Sequence, residues 1–544
     1  MDSSRFKRHD VKPAARQSFK KVSGGSIDGF GAPATSWRPH SAPLTSHSAL
    51  TTRDRLRAEE AVAAPEPKKR TPIDMGLPGG ESDFQAQMQV KTSRWRRIRP
   101  FVMRSSATLL VILLATGGFL GSQGYFKARK VFKGGTASAA ALTANVDPSR
   151  LKGEGDGRVN ILLLGRGGGT HQAPDLTDTI MLASIDPVNN TATLLSLPRD
   201  LWVDVPNFNA MKLNAVWESG KYKYAGKITH DMKDTAGNQA GFELVDQEIL
   251  AVTGLPVHYN MLVDFHAFSQ AIDTVGGVTV NVPTDLIDPT MAWENANNPV
   301  LAKAGVQAFD GKHALIYVRS RETTSDFARA QRQRSVLMAL KDKVLTAGTL
   351  SNPVKLSGLM SSFADNAQTD LSLGDASRLV QIMKSVGSKV TSLSLAGDDK
   401  GANGFVTTGN MNGQSVVLPK AGLFNYGDIQ TFIRQQLKDG YIVKEDSKIL
   451  VLNGSTTVGL AATKAAELKT YGYNIVGAAN APTKTYTKTT IVDLSAGKYK
   501  YTKNYLEQRY KTTSVTTLPD ATIQPNGADF VIILGSDAST SSQN

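Results

Sequence analysis

The chain has 544 residues, a formal charge of +14 and no cysteine. It is too long for one typical core, and the missing thiols exclude a disulfide framework, a thiolate metal site and a cysteine nucleophile. The charge is uneven: residues 1–104 hold 20 Lys or Arg against 10 Asp or Glu, which leaves +4 for the remainder. That leader is rich in Ser, Pro, Gly, Arg and Ala and shows no sustained periodicity, so it reads as a disordered, basic, cytoplasmic tail at 1–104. Anionic lipid is the partner its charge suggests; no nucleic-acid recognition module accompanies it.

Residues 105–126, SSATLLVILLATGGFLGSQGYF, carry no charge and are long enough to span a bilayer as one helix. Five arginines between Arg94 and Arg104 precede this stretch and four basic residues between Lys127 and Lys133 follow it, which favours a cytoplasmic N-terminus. A cleaved signal peptide is the rival reading, with Ala137-Ser138-Ala139 as its site. We take the stretch as an uncleaved single-pass anchor in the cell membrane, which places everything downstream outside the cell. Residues 127–157 are small, polar and glycine-bearing and read as a linker.

From residue 158 the texture is globular. VNILLLG, TIMLASID and TATLLS read as successive strands; helical segments follow near 210–219 and 242–253, and GGVTVNV reads as a further strand. In ALIYVRSRETTSDFARAQRQR, residues 314–334, the apolar run predicts a strand at 316–321 with Arg319 and Arg321 on one face, about 6.6 Å apart. A helix capped at Ser325 or Asp326 then carries Arg329, Arg332 and Gln333 on one side. A helix at 373–386 and a strand at 389–395 continue the alternation. The pattern predicts an α/β domain over 158–437, a mixed central sheet flanked by helices.

Charged residues gather at its strand ends, where such folds place their sites. Asp178 opens TIMLASID, Arg199 and Asp200 end LLSLPRD, and Lys212 opens KLNA. Together with Arg319, Arg321 and Arg329 they favour a strongly anionic ligand. Asp178 reads equally as a carboxylate holding a divalent cation against phosphate or as a strand-start residue. Asp200 beside Arg199 reads as a local ion pair. The loop GRGGG lacks both the Lys-Ser/Thr ending of a P-loop and the spacing of a dinucleotide fingerprint.

NILLLG, LTDTIML, LLSLPRDLWVDVP, KLNAVW, VDFHAFSQAIDTVGGVTV and ALIYVRSR followed by DFARAQRQ resemble, in order and spacing, the LytR-CpsA-Psr family of cell-wall enzymes. The resemblance implies a membrane-anchored phosphotransferase that moves a glycopolymer from a polyprenyl-pyrophosphate carrier to peptidoglycan, with pyrophosphatase activity when water replaces the acceptor. It implies pyrophosphate binding by Arg199, Lys212, Arg319, Arg321, Arg329 and Gln333, with Arg199, Arg319 and Arg321 catalytic, and Mg²⁺ on Asp178. Two positions depart from the family pattern: Gly167 stands where an aspartate is usual, and Leu176 where an arginine is usual. Asp175 and His171, on the same glycine-rich loop, are candidate replacement metal ligands. The alternative is a non-catalytic wall-binding or regulatory membrane protein that keeps the anionic pocket.

After a connector at 438–446, residues 447–537 read strand, helix, strand, strand, helix, strand, strand, a small α+β domain of split βαβ type with its helices on one side. VLNGS and VIILGSD resemble the LytR C-terminal domain, for which analogy suggests glycan or partner binding. Residues 538–544 read as a disordered tail.

Overall fold

The structure, a computed structural model, describes residues 139–539 apart from short internal stretches, the longest being 321–325, parts of 347–365, and 398–403. The leader, the apolar stretch at 105–126 and the linker up to residue 138 fall outside the described residues. Among those described, no helix is long and apolar enough to cross a membrane.

The central sheet has six strands. In chain order they are β1 (Val159–Arg166), β2 (Thr177–Asp186), β3 (Thr191–Ser196), β4 (Tyr259–Asp264), β5 (Ala367–Thr369) and β6 (Val390–Ser394). Across the sheet they run β5-β4-β1-β2-β3-β6, with β1 parallel to β4, β3 parallel to β6 and the other pairs antiparallel. β1 and β2 read as near-continuous apolar runs because both faces of the sheet are covered. On one face Leu162, Leu182, Leu195 and Leu262 pack against α1 (Val216–Ala225) and α2 (Thr235–Thr253) through Trp217, Phe242, Val245 and Ile249. On the other, Ile161, Ile185 and Tyr259 meet α5 (Leu373–Val386). That face continues under α3 (Phe265–Thr274), α4 (Gly311–Arg319) and the helix at Asp326–Leu345, labelled by its bounds below.

One expectation for this region is corrected. Residues 316–319 are not a strand: they belong to α4, so Arg319 leaves a helix end and not a strand edge. Asp310 caps α4 by accepting from the backbone N–H of His313 at 2.8 Å, and burial at Ala314, Tyr317 and Val318 follows helical spacing. GGVTVNV is a strand, Val278–Val282, but it pairs with Gly305–Phe309 in a separate two-stranded ribbon. Its strict alternation of buried valines with exposed Thr279 and Asn281 marks one covered face only.

The C-terminal part forms a four-stranded mixed sheet from Lys448–Asn453, Asn474–Asn480, Thr490–Asp493 and Phe530–Leu534, with helices Leu460–Tyr471 and Lys500–Tyr510 on one face. TSVTTL is not a strand there and contributes one isolated bridge, Val492 to Val515. Order continues through a 3-10 turn at Ser536–Ser539 with Ala538 buried, two residues into the expected tail. The expected linker likewise contributes folded structure within its described part, 139–143 and 146–157. Ala139, Ala141 and Leu142 pack on the α5 side of the central sheet, and Val146 and Leu151 sit in the C-terminal core.

Candidate active site

A cavity of about 520 Å³ lies between the sheet and α3, α4 and the helix Asp326–Leu345. Its sheet wall is Leu163, Gly165, Met181, Met261 and Val263, and its helical wall includes Phe265, Phe268, Leu315, Leu340 and Phe363. Polar groups converge at one end: His171, Asp178, Arg199, Asp264, Arg319, Arg329 and Gln333. An apolar trough headed by cations suits an amphiphile with an anionic head.

Each head-group residue is held by its element. Asp178 stands at the start of β2, where its Oδ1 accepts from Arg199 Nη1 at 2.5 Å and Asn214 Nδ2 at 3.3 Å. Arg199 lies in the turn after β3, tied to the following segment by Asn214 N donating to Arg199 O at 3.0 Å. Its Nε donates to Asp200 at 3.3 Å, and Lys212 pairs with the other oxygen of Asp200 at 2.9 Å. Lys212 therefore joins the site through Asp200 and does not line the cavity. The expected local pair Arg199–Asp200 is present, with Lys212 as a third member.

Arg319, in the last turn of α4, donates to both oxygens of Glu294 at 2.8 and 3.0 Å and lies 4.8 Å from the Phe265 ring. Gln333 donates to Thr179 Oγ1 at 3.0 Å, and Gly165 gives Thr179 room, since a Cβ at 165 would meet Thr179 Cβ at 2.9 Å. Arg329 is buried at the cavity wall. Arg332, on the same helix, is spent on the carbonyls of Tyr317 and Ser320. Arg321 lies outside the described residues.

The glycine-rich loop separates the two candidate replacements. His171 lines the cavity, its ring edge-on to Phe265 at 5.6 Å. A Cβ at Gly167 would meet His171 Cγ and Nδ1 at 2.6 Å each, so His171 fills the space an aspartate at 167 would need. Gly168 has φ +66°, and a Cβ there would lie 2.7 Å from Asp264 Cβ. Asp175, by contrast, points away from the cavity. It is fully buried among Arg166, Tyr222 at 2.7 Å, His230 at 2.7 Å and Lys221 at 3.9 Å. Burial pushes its carboxyl up, but the His230 and Tyr222 hydrogen bonds and the two cations outweigh that and hold it low.

Sequence reasoning missed Asp264 and Glu294. Asp264 ends β4 and caps α3, accepting from Ala267 N at 2.9 Å, and burial raises its carboxyl. The available signal was a lone carboxylate between an apolar strand and a helix, the mark of an N-cap. Glu294 had no such signal, because its partner lies across a tertiary contact. Among the described residues no group of three or more His, Cys, Asp or Glu could hold a metal by itself. Asp178 is the partly exposed carboxylate of the head group, so the donor set fits only an ion whose shell is completed by substrate oxygens and water.

The LytR_cpsA_psr family model matches residues 125–417, and a second model, LytR cell envelope-related transcriptional attenuator, matches residues 446–537. The chain is 29% identical over 343 residues to "Cell wall biosynthesis protein LcpA" of Corynebacterium glutamicum, covering 58% of this chain and 62% of that protein. It is 28% identical over 310 residues to "Polyisoprenyl-teichoic acid--peptidoglycan teichoic acid transferase TagT" of Bacillus subtilis, covering 56% of this chain and 88% of that protein. A solved structure, "TagT bound to LIIa-WTA", aligns with TM-score 0.40 and 25% identity over 56% of this chain and 96% of the other. With its family model spanning 293 residues, more than half its length, the chain belongs to the LytR_cpsA_psr family.

Proposed function

We propose that this protein is a phosphotransferase of cell-wall assembly, moving a glycopolymer from a polyprenyl-pyrophosphate carrier to peptidoglycan. The observation that carries the reading is one cavity joining an apolar trough to a head of three arginines, Arg199, Arg319 and Arg329. The trough takes the polyprenyl chain and the guanidinium groups take the pyrophosphate. Fixed by Asp178, Asp200 and Glu294, Arg199 and Arg319 need little reorganisation as charge builds on the leaving phosphate, so they favour the transition state over the ground state.

An acceptor hydroxyl attacks the phosphorus nearest the glycan. The bridging P–O bond breaks, its electron pair leaves with polyprenyl phosphate, and the hydroxyl proton passes to solvent or a base. The product is a phosphodiester; with water as acceptor the same site is a pyrophosphatase. Asp178 would hold Mg²⁺, which supplies charge neutralisation at the phosphate oxygens when bound. Residues 105–126 anchor the chain as one membrane span with the catalytic and C-terminal parts outside, and a reporter fused after Asn544 that proves cytoplasmic removes this topology.

The test uses the full chain in detergent with a polyprenyl-pyrophosphate glycan, peptidoglycan and Mg²⁺. Release of polyprenyl phosphate coupled to transfer is expected. Tight binding with neither release nor transfer overturns the enzyme reading in favour of a non-catalytic wall-binding or regulatory protein, the alternative that the departures at Gly167 and Leu176 motivate.

A further inference from the structure

A second cavity, of about 540 Å³, lies where the central sheet and the C-terminal part meet. It borders the turn after β2 at Pro187 and Val188, about 30 Å from Asp178 along that strand at ~3.3 Å per residue. It is separate from the active-site cavity and shares no lining residue with it.

Three cations line it, one from each of three elements: Arg378 of α5, Lys444 of the short helix Gly440–Glu445, and Lys498 before the helix Lys500–Tyr510. None of the three has an ion pair with a described residue. Arg378 donates to the Leu142 carbonyl and to Gln381 Oε1, and Lys498 Nζ donates to the Tyr499 hydroxyl at 2.9 Å. The cavity's carboxylate, Glu445, is already used, because its two oxygens accept the backbone N–H groups of Tyr501 at 3.0 Å and Thr502 at 2.7 Å. Three cations against one carboxylate leave the lining with a net positive charge.

Three tyrosines, Tyr441, Tyr499 and Tyr501, also line it. Tyr501 stacks on buried Tyr441 at 4.0 Å and is fixed by its hydroxyl bond to the Val146 carbonyl, while Tyr499 is half-buried beside it. A held tyrosine offers an apolar face and a polar rim at small entropic cost. A pyranose has matching surfaces, a C–H face and a ring of hydroxyls, whereas a bare phosphate uses only the cations. A net cationic lining and ordered tyrosines in one groove thus specify a ligand with both sugar and negative charge.

We propose that this groove is a binding site for an anionic glycan, a sugar polymer bearing phosphate or carboxylate groups. The chemistry is independent of the transferase reading, and its experiment reads binding alone.

The test titrates the full chain in detergent, at about 0.15 M salt so that distant charges are screened, with fluorescein-labelled dextran phosphate. Unsubstituted dextran and inorganic polyphosphate serve as comparators. Dextran phosphate should bind the K444Q/K498Q variant at least tenfold more weakly than wild type, and Lys444→Glu alone should act in the same direction. Both lysines are exposed, so the fold survives their replacement. Tyr499→Leu should weaken dextran phosphate at least threefold and leave polyphosphate unchanged. Equal affinity in the lysine variants overturns the site, since the ligand is then held elsewhere. Polyphosphate binding as tightly as dextran phosphate, with Tyr499→Leu indifferent, reduces the groove to a bare cationic surface and overturns the glycan. So does preferential capture of phosphatidylglycerol vesicles through the same lysines.

Discussion

At the residue scale, the head of the cavity is set by carboxylates that orient guanidinium groups. Arg199→Ala and Arg319→Ala should each lower kcat by roughly 10² or more, the loss expected for one preorganised charge-stabilising donor. Polyprenyl phosphate release measures this, and activity within a few-fold of wild type removes either arginine from the catalytic set. Glu294→Gln should lower activity less, because it loosens Arg319 without removing it. Gly167 permits a sharper experiment. Gly167→Asp alone should destabilise the loop, since its Cβ and the His171 ring claim the same space. Gly167→Asp with His171→Ala should recover the lost thermal midpoint, and no recovery in the double variant would show that the two positions do not compete. The arginines of this site were legible in the sequence because they fall in short motifs, LPRD and VRSR followed by FARAQRQ, although only Arg199 follows a strand. Asp175 was not: nothing local reveals that Arg166 and Lys221, nine residues before and 46 after it, would enclose it.

At the scale of elements, the sheet order rests on apolar runs that the sequence shows plainly, whereas residues 314–319 carry a run compatible with both periods. Isoleucine, tyrosine and valine together suggest a strand, yet the cap at Asp310 decides for a helix. The consequence for function is that Arg319 sits at a helix C-terminus, where its charge also complements the macrodipole. α2 carries a different liability. Asp246 and Glu248 are carboxylates that burial pushes up to about 7. A raised folded-state pKa stabilises the protein below the ordinary carboxylate range, and that contribution is lost as pH rises toward 7. Thermal midpoints should therefore fall between about pH 5 and pH 8, by the same linkage. Glu248→Gln should flatten the slope, and an unchanged slope in that variant assigns the pH dependence to other groups.

At the scale of the whole molecule, the chain enters its first strand only after crossing the C-terminal part. Val146 and Leu151 contribute to that core, together with Tyr441 and Ile442 from the connector, so linker and connector are structural members of it. Composition hid this, because a few apolar residues among small polar ones look like a tether until a distant surface claims them. Asp439 fastens the crossing: it accepts from Gly155 N at 3.0 Å, Gly157 N at 2.9 Å, Tyr441 N at 2.9 Å and the Tyr505 hydroxyl at 3.0 Å. Glycine at 157 is required there, since a Cβ would lie 2.6 Å from Asp439 Oδ1. Arg509 reinforces the junction by pairing with Glu154 at 2.6 Å. Asp439→Ala leaves these donors buried without an acceptor, and at ~1–3 kcal/mol for each stranded group the loss should reach about 3 kcal/mol or more. Because the stranded donors lie on both sides of the junction, denaturant unfolding should separate into two transitions in the variant. A single transition at the wild-type midpoint would show that the two cores hold together without the carboxylate.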